Sequence, residues 1–264
     1  MKRKMGILLM SYCIFGIQIQ GLCADNLEQL IAAHLKSIGE ADVLSQIKSI
    51  GFTGTSHARF TVGWRGQISG TAMLVSEGTK MGIVMRYEQH NYPEEHIAYD
   101  GRNVNAANTK PGEKSPLAAF LYQYDTIMKN GLLGGVFSKA WPLLDSNNNK
   151  PNIRNMKVRK TRVEKTELYE LEYTPRDSRD AMKIRLFFDP ETYRHVRTEY
   201  SISSHIYIAE SFGNFKDAGS LTLPHRYTLK FESVAGFTGI WEIDVHDVKF
   251  NISNIDPKFF SAGN

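Results

Sequence analysis

The densest group of reactive side chains in this 264-residue chain is His90, Glu94, Glu95 and His96. Two imidazoles and two carboxylates so close together are the donor types that hold a divalent cation. Their spacing argues against it. Glu94 and Glu95 are adjacent, and in an extended segment adjacent side chains point to opposite faces, so the group reads as a solvated loop. The histidines at His57, His195, His205, His225 and His246 have no spacing that selects an enzyme role. His34 falls among apolar neighbours and reads as a packed histidine with one satisfied hydrogen bond. The chain has no Gly-x-Ser-x-Gly elbow, His-Glu-x-x-His helix, P-loop or dinucleotide fingerprint. General acid–base work requires a spatial pairing that no motif here provides. A non-enzymatic protein is expected, with no catalytic residue, no metal and no cofactor.

A basic run, Arg154, Lys157, Arg159, Lys160, Arg162 and Lys165, has two readings. It could touch anionic headgroups, each nearby charge contributing about 1 kcal/mol. More commonly such a run is a charged strand edge that discourages pairing with another molecule. The first residues read as a secretory signal: Lys2, Arg3 and Lys4 form a basic n-region, residues 5–19 an interrupted apolar run, and Gly21-Leu22-Cys23-Ala24 a cleavage site after Ala24. The run is short for a membrane anchor. Lipidation at Cys23 would ask for Leu three residues earlier and a small residue just before it, where Gln20 and Leu22 stand. Removal of residues 1–24 takes both cysteines, Cys13 and Cys23, so no disulfide framework or thiolate chemistry remains. Lys plus Arg falls from 32 to 29 against 28 Asp plus Glu, a net charge of +1. A nucleic-acid binder would show a strong basic excess, and nucleic acid is excluded as a partner. The expected locale is the periplasm, and residues 25–264 read as one domain.

The elements that must position any site are mostly strands. An amphipathic helix is predicted over 27–38, with His34 on its apolar face, and a short one over 40–49. Strands are predicted near 50–61, 66–76, 80–87 and 96–99, then near 157–163, 168–173, 182–188, 193–202, 205–215, 221–231 and 239–250, separated by turn signals such as Asp100-Gly101. Residues 105–114 read as a polar loop. Between the two runs of strands lies a predicted helical pair. Ser115 offers an N-cap and Pro116 a preset φ, after which Leu117, Phe120, Leu121, Tyr124 and Met128 recur at helical spacing up to Gly131. Leu132, Leu133, Val136, Phe137, Ala140 and Trp141 then form a second, wide apolar face before Pro142. The fold class expected is mainly β: a large curved antiparallel sheet, a half-open barrel of about eleven strands, covered by the N-terminal helix and the mid-chain helical pair. Leu132, Leu133, Val136, Phe137, Trp141 and Leu144 are the candidate cover of an apolar cavity. Phe259 and Phe260 read as a docking plug.

This layout resembles the periplasmic outer-membrane lipoprotein carrier and receptor superfamily (LolA/LolB-like). The likeness rests on the signal segment, the helix over 27–38, Thr71-Ala72-Met73-Leu74-Val75, Asp100-Gly101 and Phe188-Asp189-Pro190-Glu191-Thr192. It extends to Asp217-Ala218-Gly219 with Leu223-Pro224, and to Asp256-Pro257-Lys258-Phe259-Phe260. Gly131-Leu132-Leu133-Gly134-Gly135 and Trp141-Pro142-Leu143-Leu144-Asp145 look closest to uncharacterised secreted members. The resemblance implies a half barrel that holds acyl chains of a lipid or lipoprotein, with an arginine from the sheet latching the lid. Arg65 and Arg86 are the candidates for that latch by position. The function so implied is non-enzymatic binding of lipid or lipidated protein, in contact with envelope membrane proteins. The alternative is an envelope scaffold or sensor that uses the same fold to bind a protein partner, its interior filled by its own side chains.

Overall fold

The computed structural model describes residues 27–61, 66–108, 112–144, 153–175, 182–203, 206–233 and 236–262. The signal segment 1–24, Arg65 and His205 lie outside the described residues. Twelve strands form one antiparallel sheet. In the first half these are β1 (Ser49–Phe60), β2 (Gly66–Glu77), β3 (Lys80–Tyr87), β4 (Glu94–Tyr99) and β5 (Val104–Ala106). The second half supplies β6 (Ile153–Val163), β7 (Thr166–Pro175), β8 (Lys183–Phe188), β9 (His195–Ser203), β10 (Ile206–Ala218), β11 (Leu221–Glu232) and β12 (Thr238–Phe250).

Their order is β5-β4-β3-β2-β1-β12-β11-β10-β9-β8-β7-β6, two meanders fused where β1 pairs with β12. The ends, β5 and β6, are not paired with each other, so the sheet stays open. A sheet this wide must curl, because each strand twists relative to the last. The concave side is apolar for a reason visible in the sequence. Alternate residues such as Leu221, Leu223, Tyr227, Leu229 and Phe231 on β11, and Trp241, Ile243 and Val245 on β12, are buried while their neighbours are less so.

Short turns fix the register. In the β4–β5 connection the Asp100 carboxylate accepts the backbone N–H groups of Arg102 and Asn103, both at 2.7 Å, and Gly101 takes φ +96°. Five of the six basic residues lie on β6, the strand at one end of the sheet, with Lys165 in the turn that follows, and Arg159 pairs with Glu170 and Glu172 of β7. That is the placement of a charged edge.

Two helices precede the sheet, α1 (Leu27–Ile38) and α2 (Ala41–Gln46). Two more, α3 (Pro116–Gln123) and α4 (Thr126–Lys129), follow β5. Helix α3 starts as its sequence dictates: the Ser115 hydroxyl accepts the Ala118 N–H at 2.9 Å and Pro116 occupies the first turn. The second member of the expected helical pair does not form. After α4 the chain runs as turns with one 3-10 turn, Gly135–Phe137. Gly131, Gly134 and Gly135 hold φ of +62°, +84° and +52°, a left-handed region that cannot continue a right-handed helix. Its apolar spacing is real but serves a strap, not a helix.

Phe259 and Phe260 dock on the face of the sheet opposite the strap. The Phe259 ring lies where a Cβ at Gly82 would point, 2.7 Å away, and the His96 Nε2–H donates to the Phe259 carbonyl at 2.9 Å. No helix among the described residues is long and apolar enough to cross a membrane.

Candidate functional site

The strap, residues 131–144, lies inside the curve of the sheet. Leu132, Leu133, Phe137 and Trp141 are buried, whereas Val136 and Leu144 are half-buried at its margin. Phe137 meets Phe52 of β1 edge-on with ring centroids 4.8 Å apart. Trp141 sits between His34 of α1, at 5.3 Å, and His195 of β9, at 5.0 Å. The six covering residues named from sequence are thus brought into one layer. That layer fills the interior instead of roofing an open one.

Polar ties hold this apolar strap to the sheet. The Lys139 N–H donates to the Ser76 hydroxyl at 2.9 Å, and that hydroxyl donates to the Lys80 carbonyl at 3.0 Å. The principal tie is Glu210 on β10, fully buried beneath the strap. Its Oε1 accepts the Gly134 N–H at 2.7 Å and the Tyr227 hydroxyl at 2.6 Å. Tyr200 stands within hydrogen-bond distance of both the Leu132 carbonyl, at 2.7 Å, and Glu210 Oε2. A tyrosine has one hydroxyl proton. Both contacts are hydrogen bonds only when Glu210 carries a proton and donates it to Tyr200, which then donates to Leu132. Burial works the same way: it pushes the Glu210 carboxyl up to about 7, opposed by its polar contacts with Tyr200, Tyr227 and Gly134. Burial also pushes the Tyr200 and Tyr227 hydroxyls well up, so both stay protonated.

A second buried carboxyl fastens α3. Glu95 of β4 accepts the Ser115 hydroxyl at 2.6 Å and the Tyr92 hydroxyl, and Tyr92 accepts the Trp241 indole N–H at 3.1 Å. Burial raises Glu95 to about 7, with Ser115 and Tyr92 opposing. Strand alternation separates Glu95 from the rest of its sequence cluster. Glu94 faces the other way and pairs with Arg86 at 2.8 Å, while His96 is engaged by Phe259. Among the described residues no three His, Cys, Asp or Glu side chains stand together as a cation site.

Arg86 projects from the outer face, away from the strap, beside a groove of about 520 Å³ that also includes Met73, Lys258 and Phe259. The principal tie between strap and sheet is made by Glu210, not by an arginine. Sequence reasoning missed Glu210, Tyr200 and Tyr227, whose spacing of 10 and 17 residues reflects hairpin register. One signal was available: Glu210 occupies an inward position between Ile208 and Phe212, where a charged residue interrupts an apolar alternation.

His34 completes the site from the helix side. Its Nδ1 lies 2.9 Å from the Tyr193 carbonyl. A carbonyl only accepts, so Nδ1 carries the proton. Burial lowers the imidazole to about 4, so the ring is neutral at pH 7 and Nε2 bears a free lone pair with no partner. This is the packed histidine with one satisfied bond that its apolar neighbours predicted. The indole N–H of Trp141 also has no partner.

No family model and no curated protein matches the chain. Solved structures similar to it include a LolA superfamily protein from Nitrosomonas europaea, at 14% identity and TM-score 0.48, covering 89% of this chain and 96% of that one. A putative outer membrane lipoprotein-sorting protein domain from Vibrio parahaemolyticus matches at 13% identity and TM-score 0.46, covering 89% and 97%. A DUF1329 family protein from Desulfovibrio piger matches at 9% identity and TM-score 0.41, covering 88% and 96%.

Proposed function

We propose that this protein is a non-enzymatic periplasmic binder of lipid or lipidated protein, and that the acyl chain lodges where the strap now lies. In this reading residues 1–24 are removed as a signal peptide and residues 25–264 work as one domain. The observation that carries the proposal is the strap itself: an apolar segment with three left-handed glycines, seated inside an apolar concavity and fastened through a few polar ties. Moving it exposes a continuous apolar floor, and an acyl chain replaces the side chains withdrawn. A ten-carbon stretch supplies roughly 8 kcal/mol by burial, the scale of micromolar affinity before the strap's displacement is charged against it.

The test is equilibrium titration of the protein with a fluorescent fatty acid. Micromolar or tighter uptake is expected, and Val136→Asp or Leu144→Asp should weaken it at least tenfold while circular dichroism stays native, because both positions are only half-buried. Failure of the native protein to take up the probe, or equal binding by both variants, would overturn the reading.

A second reading, a scaffold or sensor for a protein partner, is favoured by one feature. The outer-face groove beside Met73 and Arg86 offers about 520 Å³ of mixed apolar and charged surface while the interior is occupied by the strap. Stable recovery of an envelope protein by a chain that binds no fatty acid would support it.

A further inference from the structure

Among the described residues, every polar bond from the strap to the sheet ends on a side chain of the sheet. The strap N–H groups of Phe137, Ser138, Trp141 and Leu144 donate to the carbonyls of Gly134, Gly135, Ser138 and Trp141, so these backbone bonds close within the strap. The Leu132 N–H turns back to Ile127 of α4. What crosses to the strands is Lys139 to Ser76, and the Leu132–Gly134 corner to Tyr200 and Glu210. A segment tied in this way can lift without breaking a strand ladder, as a local opening of the fold.

The Leu132–Gly134 corner is complete only while Glu210 holds a proton. Oε1 accepts the Gly134 N–H at 2.7 Å and the Tyr227 hydroxyl at 2.6 Å. Tyr200 stands between Oε2 and the Leu132 carbonyl with a single proton to give. When Glu210 is protonated, it donates to Tyr200, Tyr200 donates to Leu132, and each group is paired. When Glu210 ionises, its charged oxygen takes the Tyr200 proton, because a charge-assisted hydrogen bond is the stronger. The buried Leu132 carbonyl is then left without its donor. The Gly134 bond gains from the charge, but a buried carboxylate and an unpaired carbonyl cost more.

The neighbours supply nothing to offset that cost. The ionisable groups facing Glu210 are the hydroxyls of Tyr173 on β7, Tyr200 on β9 and Tyr227 on β11, and burial keeps all three protonated. His195 of β9, 3.2 Å from where a Cβ at Gly135 would stand, and His34 of α1 are both kept neutral by burial. Only burial and hydrogen bonds act on Glu210, and no cation does among the described residues.

We propose that Glu210, Tyr200 and the Leu132 carbonyl form a proton-dependent latch, in which loss of the Glu210 proton frees the strap while the sheet stays folded. The latch stands whatever the cargo, and its use in admitting an acyl chain rests on the function proposed above.

The experiment is amide hydrogen exchange by mass spectrometry on the native protein and Glu210→Gln, at pH 5 and pH 8. The ratio of native to variant rates at each pH cancels the intrinsic pH dependence of exchange. Over residues 132–141 that ratio should rise by roughly 10- to 100-fold from pH 5 to pH 8, as linkage requires of a carboxyl that regains its ordinary pKa on opening. Protection factors of the native strap at pH 8 should stay at least about tenfold below those of β11 and β12, since its opening is local. Carbon-13 NMR of the native protein needs no variant: the Glu210 carboxyl should titrate over the pH range in which strap protection falls. Equal protection in strap and strands, a ratio that does not change with pH, or a carboxyl already ionised at pH 5 would overturn the proposal. A fluorescent fatty acid mixed with both proteins separates latch from cargo. A rising strap ratio without fatty acid uptake leaves the latch and removes the acyl reading, whereas uptake with an unchanged strap ratio removes the latch alone.

Discussion

Replacing Glu210 by Gln should stabilise the protein at pH 8 and leave it nearly unchanged at pH 5. The buried carboxyl has its folded pKa raised from 4.5 to about 7. Between those values the folded state holds a proton that the unfolded state releases, so the group's contribution is fully present below pH 4.5 and is lost as pH rises through 7. At 1.36 kcal/mol per unit, the loss comes to about 3 kcal/mol. A glutamine reproduces the protonated form: its oxygen accepts from Gly134 and Tyr227, and its amide donates to Tyr200. Other groups complicate the native pH profile. Glu95, also raised to about 7, gives a loss of the same sign over the same window. His34, lowered to about 4, acts the other way: its contribution is present above pH 6.5 and is lost as pH falls through 4. The difference between variant and native protein cancels both. Urea denaturation at pH 5 and pH 8 should therefore show Glu210→Gln moving from near parity to an advantage of about 3 kcal/mol. A variant that is destabilised equally at both pH values would refute the reasoning, since Glu210 would then be ionised throughout and its contacts independent of protonation.

Two further substitutions test the cover. Gly134→Ala places a side chain at φ +84° with the Met81 methyl 2.8 Å away, whereas Gly78→Ala, at φ +55°, meets nothing within 4 Å. The strap variant should lose about 2 kcal/mol from backbone strain and more from the contact, so denaturation midpoints that match between the two would deny that the strap is tightly seated. Ser115→Ala removes both the N-cap of α3 and a donor to Glu95. A loss of about 1–2 kcal/mol is expected, with the Glu95 carboxyl titrating at higher pH by carbon-13 NMR; an unmoved titration would detach Glu95 from the cap.

Strands were the most legible part of the sequence because their signal is local. Period-two alternation and turn residues place β3 at Lys80–Tyr87 as expected, and the other long strands within a few residues. The short β5, Val104–Ala106, overlaps the start of the polar loop expected over 105–114, since three residues carry too little alternation to register. The helix over 27–38 was equally plain. The strap misled because a 3.6-residue apolar spacing and a buried irregular segment look alike when only side chains are counted. The glycines at 131, 134 and 135 were the contrary signal, and their left-handed φ values decide the outcome. Four of the six residues expected in the cover, Leu132, Leu133, Phe137 and Trp141, are buried, as apolar character alone would send them, whereas Val136 and Leu144 are half-buried. Glu210, Tyr200 and Tyr227 could not be named, because their meeting is set by strand register across the sheet. Arg65 lies outside the described residues, and Arg86 is held on the outer face by Glu94.

The two covering elements are fastened by the same chemistry. Helix α3 is tied through Ser115 to Glu95, and the strap through Gly134 to Glu210, each carboxyl buried and raised to about 7. A core built for stability alone would have apolar residues at these positions, because a buried carboxyl must be neutral or heavily hydrogen-bonded to persist. Carboxyls that change charge near neutrality keep the cover seated while they hold protons and charge a penalty of a few kcal/mol when they do not. That penalty is comparable to the contribution of three or four methylene groups of a buried chain. On the proposed function, protonation of these carboxyls sets how firmly the cover is tied to the sheet, and an entering lipid chain would replace the apolar contacts that the withdrawn strap side chains give up.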